Sequence, residues 1–451
     1  MIKLPEAFET YTRNLMGEEL YNTLIRGLNE EDYPTSIRLN PYKPCRVNLE
    51  IVKAPVPWCK DAYYLNTRPA FTFDPLFHAG SYYVQEASSM FIDQIIRQYI
   101  TEPILALDLC AAPGGKTTCV RAALPKESIL IANEPMCKRA QILSENILKF
   151  GHDNVAVTNN YPKDFQKTKL LFDLIIADVP CSGEGMFRKD ANAIEEWSEE
   201  NVEKCWRLQR SIIEDIWDNL KPGGILIYST CTFNAHENEE NVAWILSQFN
   251  AESIPVEVKE DWNITGSLIG NPFQYKELHS SSPNMQSPIC HSNFFVYRFI
   301  PGKTQGEGLF MAALRKNIND AHCVSTPFSF ASEQRDKVVN KLKKLKVINF
   351  GPKEGILKGK NIIPDTSMAL SAFADNSEYP QVEIDYTTSI NYLRHEAITL
   401  ANNAPCGIVV LTYKGHPLGF AKNLGNRANN LYPQEWRIKS TYIPEEPIIV
   451  R

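Results

Sequence analysis

No stretch of the 451 residues approaches the ~18 consecutive apolar residues that a membrane-spanning helix needs. The first residues, MIKLPEAFET, lack the apolar core and cleavage site of a signal peptide. A cytoplasmic protein with no membrane partner is therefore expected. Cys-x-x-Cys is also missing, and the 11 cysteines are odd in number, which argues against a disulfide framework and against a structural zinc site. No metal is expected. No internal repeat and no low-complexity tract is found. Net charge is -6, so composition does not announce a nucleic-acid binder.

With 43% hydrophobic and 22% charged residues, the chain can bury an ordinary core. Charge is distributed unevenly. Residues 331–360 hold nine Lys/Arg against three Asp/Glu, whereas 191–203 hold five Glu and nothing basic. The basic run could meet phosphates or form a solvated helix face.

Apolar spacing at Phe8, Leu15, Leu20, Leu24 and Ile25 predicts a helix over 5–29, and SIRLN (36–40) a short strand. A Pro- and aromatic-rich stretch follows. From 81 to 317 the texture alternates. ILALDL (104–109), SILIAN (128–133), NVAVT (154–158), LFDLIIAD (171–178) and ILIYST (225–230) are near-continuous apolar runs. Helical segments, Lys116–Leu124, Lys138–Phe150 and Glu199–Leu220, separate them. Strands apolar on both faces, alternating with helices, indicate a parallel sheet covered on both sides. FFVYRF (294–299) and LFMAAL (309–314) should form a late antiparallel pair. The expected class is α/β, a Rossmann-like doubly wound sheet. A module over 1–80 precedes it, a linker with the basic segment (318–385) follows, and a β-rich region closes the chain (386–451).

DLCAAPGGKTT (108–118) follows the first strand and opens a helix. Its small residues, Ala111, Ala112, Gly114 and Gly115, let a ligand approach backbone closely, and the helix start offers free N–H groups. Neither G-x-G-x-x-G nor G-x-x-x-x-G-K-[ST] is present, so a dinucleotide or a phosphate-gripping loop fits poorly. S-adenosylmethionine has no phosphates, and its carboxylate can use the same N–H groups. Glu134, at the end of the second strand, can bind both ribose hydroxyls.

Cys110, Cys181 and Cys231 follow the first, fourth and fifth strands, and in an open α/β sheet those ends face one crevice. Asp178 stands beside them in ADVPCSG (177–183), and Lys116 heads the first helix. Carbon 5 of cytosine is a poor nucleophile. A thiolate adding to carbon 6 makes the ring an enamine whose carbon 5 can attack a sulfonium methyl. That needs an acid for the ring nitrogen and a base for the carbon-5 proton. Cys231 could supply the thiolate, Cys181 could assist release, and Asp178 could engage the ring nitrogen if its pKa were raised or a proton shared. Plain buried packing is the alternative for each cysteine.

These stretches, with DVPCSGEGMFRKD (178–190) and YSTCTFNAHENEENV (228–242), resemble the Nop/Sun family of RNA cytosine-5 methyltransferases, and most of all its bacterial 16S ribosomal RNA branch. SIRLNPYK (36–43), GSYYVQEASSM (80–90) and GEGLFMAALRK (306–316) support the likeness. The resemblance implies that Cys231 is the nucleophile and that Cys181 serves product release. It implies cofactor contacts from Cys110, Ala111, Ala112, Pro113, Gly114, Gly115 and Lys116, and from Glu134 and Asp178. It also implies an N-terminal RNA-binding module and a PUA-like tail, matched by 415–440. A monomer acting on RNA, 16S ribosomal RNA or the small subunit, is the expected form. Many members carry an acidic cofactor contact after the third strand. Here the chain reads VTNNYPKD (157–164), which leaves Asn160 as the substitute, with Asp164 farther along. Two rival readings remain. A DNA cytosine-5 methyltransferase would use Cys181 as nucleophile, and Glu240-Asn241-Val242 mimics a tripeptide of such enzymes. A non-catalytic RNA-binding assembly factor would not need Lys116, Asp178, Cys181 and Cys231 intact.

Overall fold

The computed structural model describes residues 2–29, 33–269, 295–318, 332–358, 361–440, 442 and 444–450. The N-terminal helix spans Glu6–Asn29 and kinks at Gly17 (φ 74°). Four antiparallel strands follow: β1 (Thr35–Leu39), β2 (Val52–Pro55), β3 (Ala62–Leu65) and β4 (Tyr82–Val84), in the order β2-β3-β1-β4. The sheet thus runs past residue 80. Ile37 pairs with Val84 and Leu39 with Tyr82, so the stretch just after 80 closes this sheet and does not open the next domain.

The central sheet is built on five parallel strands. These are β5 (Leu105–Asp108), β6 (Ile129–Asn133), β7 (Val155–Thr158), β8 (Phe172–Asp178) and β9 (Leu220–Thr230), ordered β7-β6-β5-β8-β9. Strand β10 (Ala251–Ser253) pairs with β12 (Leu309–Lys316), and β12 runs antiparallel to β9. The expected late hairpin is present, with β11 (Tyr297–Phe299) antiparallel to β12; Phe294 lies outside the described residues.

Period-2 alternation explains the continuous apolar runs. Ala106, Leu130, Leu174 and Ile227 enter one buried cluster, while Leu107, Ile131, Ile175 and Leu226 enter the cluster on the opposite face. Both faces are roofed, so both registers must be apolar. The helices expected over 116–124 and 138–150 are Gly115–Ala123 and Cys137–Phe150. The third ends earlier than expected, at Ile216, because β9 begins at Leu220 and runs through the Pro222-Gly223-Gly224 turn-like stretch.

The basic segment is not a free linker. Residues 319–331 lie outside the description, but Ser332–Leu342 is a helix, and β13 (Val347–Phe350) adds antiparallel to β7 as an edge strand. Three of its lysines are used locally: Lys341 and Lys344 donate to the carbonyls of Lys169 and Lys167, and Lys346 to Asn159. A small hairpin, β14 (Ile356–Lys358) with β15 (Asn361–Ile363), leads to the last sheet.

That sheet is β16 (Gln381–Glu383), β17 (Gly407–Tyr413), β18 (His416–Asn423) and β19 (Ala428–Asn430), in that order. Because β16 pairs with β17, the tail starts before residue 386. Lys414 and Gly415, both at positive φ, turn β17 into β18. One apolar cluster joins this tail to the N-terminal sheet, holding Ile37, Leu65 and Tyr82 with Ile390, Val409 and Leu411. Val47 bridges to Val450, and Asn48 N–H donates to the Ile449 carbonyl. The N-terminal helix packs elsewhere, with Phe8 edge-on to Phe187 and Trp197. Among the described residues no helix is long and apolar enough to cross a membrane.

Candidate active site

Strand order puts the switch point between β5 and β8, so the turn after β5 and the ends of β8 and β9 open on one crevice. The turn Cys110–Gly114 is held from behind. Ala111 N–H donates to the Asn133 carbonyl (2.8 Å), Arg139 donates to the Ala112 carbonyl (2.9 Å), and Asn146 to the Pro113 carbonyl (2.8 Å). Gly114 stands at φ 114° just before the helix, a backbone state open to glycine at little cost. Cys110 is half-buried, and burial pushes its thiol well up.

Glu134 is 1% exposed at the end of β6. Its Oε1 accepts the Met136 N–H (3.0 Å), while Oε2 is buried without a hydrogen bond and has only Arg139 at 3.6 Å. An acceptor so placed suits a ligand hydroxyl. Asp108 adds a second orphaned oxygen, Oδ1. Burial raises its carboxyl to about 7, against the Thr117 hydroxyl that donates to Oδ2 at 2.6 Å. Sequence reasoning passed over Asp108, although it is the first letter of the loop motif.

At β8 and β9 the two cysteines meet. Cys181 Sγ lies 3.2 Å from Cys231 Sγ, and the Cys231 N–H points to Cys181 Sγ at 3.3 Å. The contact with Cys231, then burial, holds the Cys181 thiol well above its ordinary pKa, so Cys181 stays protonated beside its partner. Lys116 Nζ donates to Asp178 Oδ2 at 2.9 Å, and the Ser229 hydroxyl donates to Asp178 Oδ1 at 2.7 Å. These are partners for an ionised carboxylate. Burial works to lower the Lys116 ammonium, but Asp178, and Cys231 behind it, keep it above the ordinary value. Lys116 thus holds its proton tightly against Asp178, the residue the sequence offered for the ring nitrogen.

A buried polar network fixes both cysteine turns. Asn234 Nδ2 bridges Glu184 Oε1 (2.9 Å) and Glu237 Oε1 (2.8 Å); Glu184 Oε2 accepts the N–H groups of Phe233 and Asn234, and Glu237 Oε2 that of Ser182. Gly185 N–H donates to the Cys231 carbonyl at 2.8 Å, and a Cβ there would lie 3.0 Å from that oxygen. Glu184, Asn234 and Glu237 sit inside the two cysteine motifs, and only their partners in space reveal the role. Glu240-Asn241-Val242 lies in the first turn of the helix Glu239–Gln248.

After β7, Asn160 and Asp164 spend their side chains locally. Both ends of the Asn160 amide serve the backbone of Lys346, donating to its carbonyl and accepting its N–H. Asp164 caps its own turn through the Tyr161 N–H and pairs with Lys167. The buried Asn133 stitches the strand ends, donating to the carbonyls of Leu109 and Asn160, and so keeps the Asn160 backbone beside the start of the loop. For a metal, the one grouping with suitable atoms among the described residues is Cys59, Asp93 and Cys119, within 4.8 Å of one another. Its carboxylate already holds Arg97 at 2.7 Å, as an ordinary ion pair would.

A family model for 16S rRNA methyltransferase RsmB/F matches residues 100–315. The N-terminal domain of 16S rRNA methyltransferase RsmF matches 4–87, and the methyltransferase RsmF PUA domain matches 379–438. The chain is 28% identical over 470 residues to ribosomal RNA small subunit methyltransferase F of Serratia proteamaculans, covering 96% of each. To the protein of the same description in Pectobacterium atrosepticum it is 40% identical over 264 residues, 54% of this chain and 53% of that one. A methyltransferase homolog from Pyrococcus horikoshii shares the fold, with a TM-score of 0.55 at 23% identity over 70% of this chain and 96% of that one.

Proposed function

The chain belongs to the RsmB/F family of 16S rRNA methyltransferases, and from that premise we propose that it methylates carbon 5 of a cytosine in 16S ribosomal RNA through a covalent adduct on Cys231. The single observation that carries the mechanism is the Cys181–Cys231 pair, 3.2 Å apart, beside the Lys116–Asp178 ion pair. S-adenosylmethionine supplies an electrophilic methyl group when bound. The buried, orphaned Glu134 Oε2 and the N–H groups opening the helix Gly115–Ala123 fit its ribose and carboxylate.

Each residue then has a task. The Cys231 thiolate adds to carbon 6 of the cytosine, and the ring's electron pair moves so that the ring nitrogen takes a proton held at Lys116 Nζ. Asp178, 32% exposed, accepts from the amino edge and keeps Lys116 charged. Carbon 5 becomes nucleophilic and receives the methyl group. Once Cys231 is spent in the adduct, the contact that held the Cys181 proton is gone; Cys181 releases that proton to solvent and as thiolate takes the carbon-5 proton, while the C–S electron pair returns to Cys231 and the ring-nitrogen proton returns to Lys116.

RNA contacts are assigned to the N-terminal module and the tail. Between the N-terminal sheet and the 302–306 segment lies a cavity of about 720 Å³ lined by Lys53, Arg68 and Lys303 with Tyr33, a phosphate-friendly set. The reading places the protein in the cytoplasm, as a monomer. Transfer of a labelled methyl group to 16S ribosomal RNA, beside duplex DNA, tests it. RNA alone should be labelled, and bisulfite sequencing should show a cytosine protected only in cells that carry the gene. Labelled DNA, or no protected cytosine, would sink the reading.

A further inference from the structure

We infer that a cavity behind the cysteine turns seats an arginine or lysine side chain of a basic polypeptide. The cavity, about 330 Å³, is walled by Tyr11, Trp197, Trp206 and His236 and edged by Glu199 and Glu203. It lies between the N-terminal helix and the helix Glu199–Ile216, apart from the basic cavity assigned to RNA.

Two observations converge on a cationic peptide. Aromatic faces attract a cation, Trp best of all, and Trp206 already carries the Arg210 guanidinium 3.9 Å over its ring. The surroundings are net acidic: Glu195, Glu196, Glu199, Glu200 and Glu203 are all exposed, against Lys204, Arg207 and Arg210 on the helix Glu199–Ile216 and His236 on the wall, whose proton is held by Glu240. Like charge turns phosphodiesters away from this face and draws a basic chain to it. Glu203 now pairs with Arg207 one turn on, an exposed pair that a bound cation can exchange with. Asn234, which also lines the cavity, bonds Glu184 and Glu237, so the occupied pocket abuts the network that holds Cys181 and Cys231. A small ribosomal subunit offers both RNA and basic protein. The basic cavity suits the first and this one the second, a partner assignment that rests on the reading above.

The test titrates the full chain at low ionic strength with an acetylated peptide of alternating glycine and arginine, following tryptophan fluorescence. A second peptide carries uncharged citrulline in place of arginine. The arginine peptide should bind saturably, the citrulline peptide should not, and Glu199→Gln with Glu203→Gln should weaken binding at least about tenfold. Both carboxylates are exposed, so that variant keeps its fold. Equal binding of the citrulline peptide, or unchanged affinity in the double variant, overturns the inference. So does saturable binding of oligouridylate that the arginine peptide competes away, which would make the cavity a seat for an unpaired base. Labelled methyl transfer to naked RNA runs alongside; its failure would strike the methylation reading and leave the peptide result standing.

Discussion

The crevice at the strand ends and the core shared by the two terminal sheets are built by opposite means. In the crevice, residues meet because parallel strands β5, β8 and β9 end side by side, and each reactive side chain sits within a few residues of a strand end. In the shared core, Val47 meets Val450 and Ile37 shares a cluster with Leu411, contacts that span nearly the whole chain. The crevice holds ionisable groups against their solvation, with Glu237 and Asp108 both raised to about 7 by burial. The shared core is mostly apolar packing; its buried carboxyl, Asp74, is raised to about 6 by burial and accepts the Tyr82 hydroxyl at 2.8 Å, away from any reactive cysteine. Chemistry and stability should therefore be separable by mutation.

The largest effect belongs to the cysteines. Cys231→Ala should lower methyl transfer by about 10³-fold or more and abolish the covalent RNA adduct, while cofactor affinity stays, because the strand is unchanged. Cys181→Ala should still attack and then stall, leaving a protein–RNA species that survives denaturing electrophoresis. An adduct with Cys231→Ala and none with Cys181→Ala would reverse the roles, as the DNA-type assignment requires. Next comes the core. Leu411 is fully buried in the tail, and Leu411→Ala should cost about 2–5 kcal/mol of unfolding free energy. Calorimetry on the folded variant should find cofactor affinity intact. If affinity fell with stability, the two regions would be one energetic unit and the contrast would fail.

The same contrast explains what the sequence made legible. The parallel sheet was readable because period-2 burial on both faces leaves continuous apolar runs such as 104–107 and 129–132. The crevice was readable because strand ends mark it: Cys110, Lys116, Glu134, Asp178, Cys181 and Cys231 all sit there. The edge strand Val347–Phe350 was not, since a short pairing inside a lysine-rich stretch has no pattern of its own. Nor was the joint core, because apolar alternation tells which face is buried and not against what. Asn160 shows the limit at a single position: the sequence offered it as a ligand contact after β7, and it could not show that the amide bonds the Lys346 backbone.

Glu134→Ala probes the crevice without touching the cysteines. A hydrogen bond to a charged group is worth roughly 1.5–3 kcal/mol, so cofactor affinity should fall about tenfold to a hundredfold. The Met136 N–H would lose its acceptor and Arg139 its carboxylate neighbour at 3.6 Å, so stability should fall by about 1–3 kcal/mol and affinity is read on the folded variant. Unchanged affinity by calorimetry would remove Glu134 from the cofactor site and leave its orphaned oxygen unexplained.

The smallest effect concerns Glu237, where crevice and stability touch. Its carboxyl is fully buried and raised from 4.5 to about 7, first by burial and then by the Glu184 carboxylate, against the N–H of Ser182 and the amide of Asn234 that donate to it. The folded pKa exceeds the unfolded one, so the native state holds the proton more tightly. The contribution is fully present below pH 4.5 and is lost as pH rises through about 7. A shift of this size bounds the effect at about 3 kcal/mol. Glu237→Gln cannot ionise, and it exchanges one acceptor for an amide N–H beside Ser182 or Gln209, at a constant cost of about 1 kcal/mol. The informative quantity is thus the slope with pH and not the stability at one pH. Between pH 5 and 8 the wild type should lose about 1–3 kcal/mol more than the variant in urea unfolding. Asp108 titrates in the same window but in both proteins, so it cancels in the difference. Parallel profiles would mean that Glu237 keeps an ordinary carboxylate's titration in the folded state, and that the donors from Ser182 and Asn234 offset its burial.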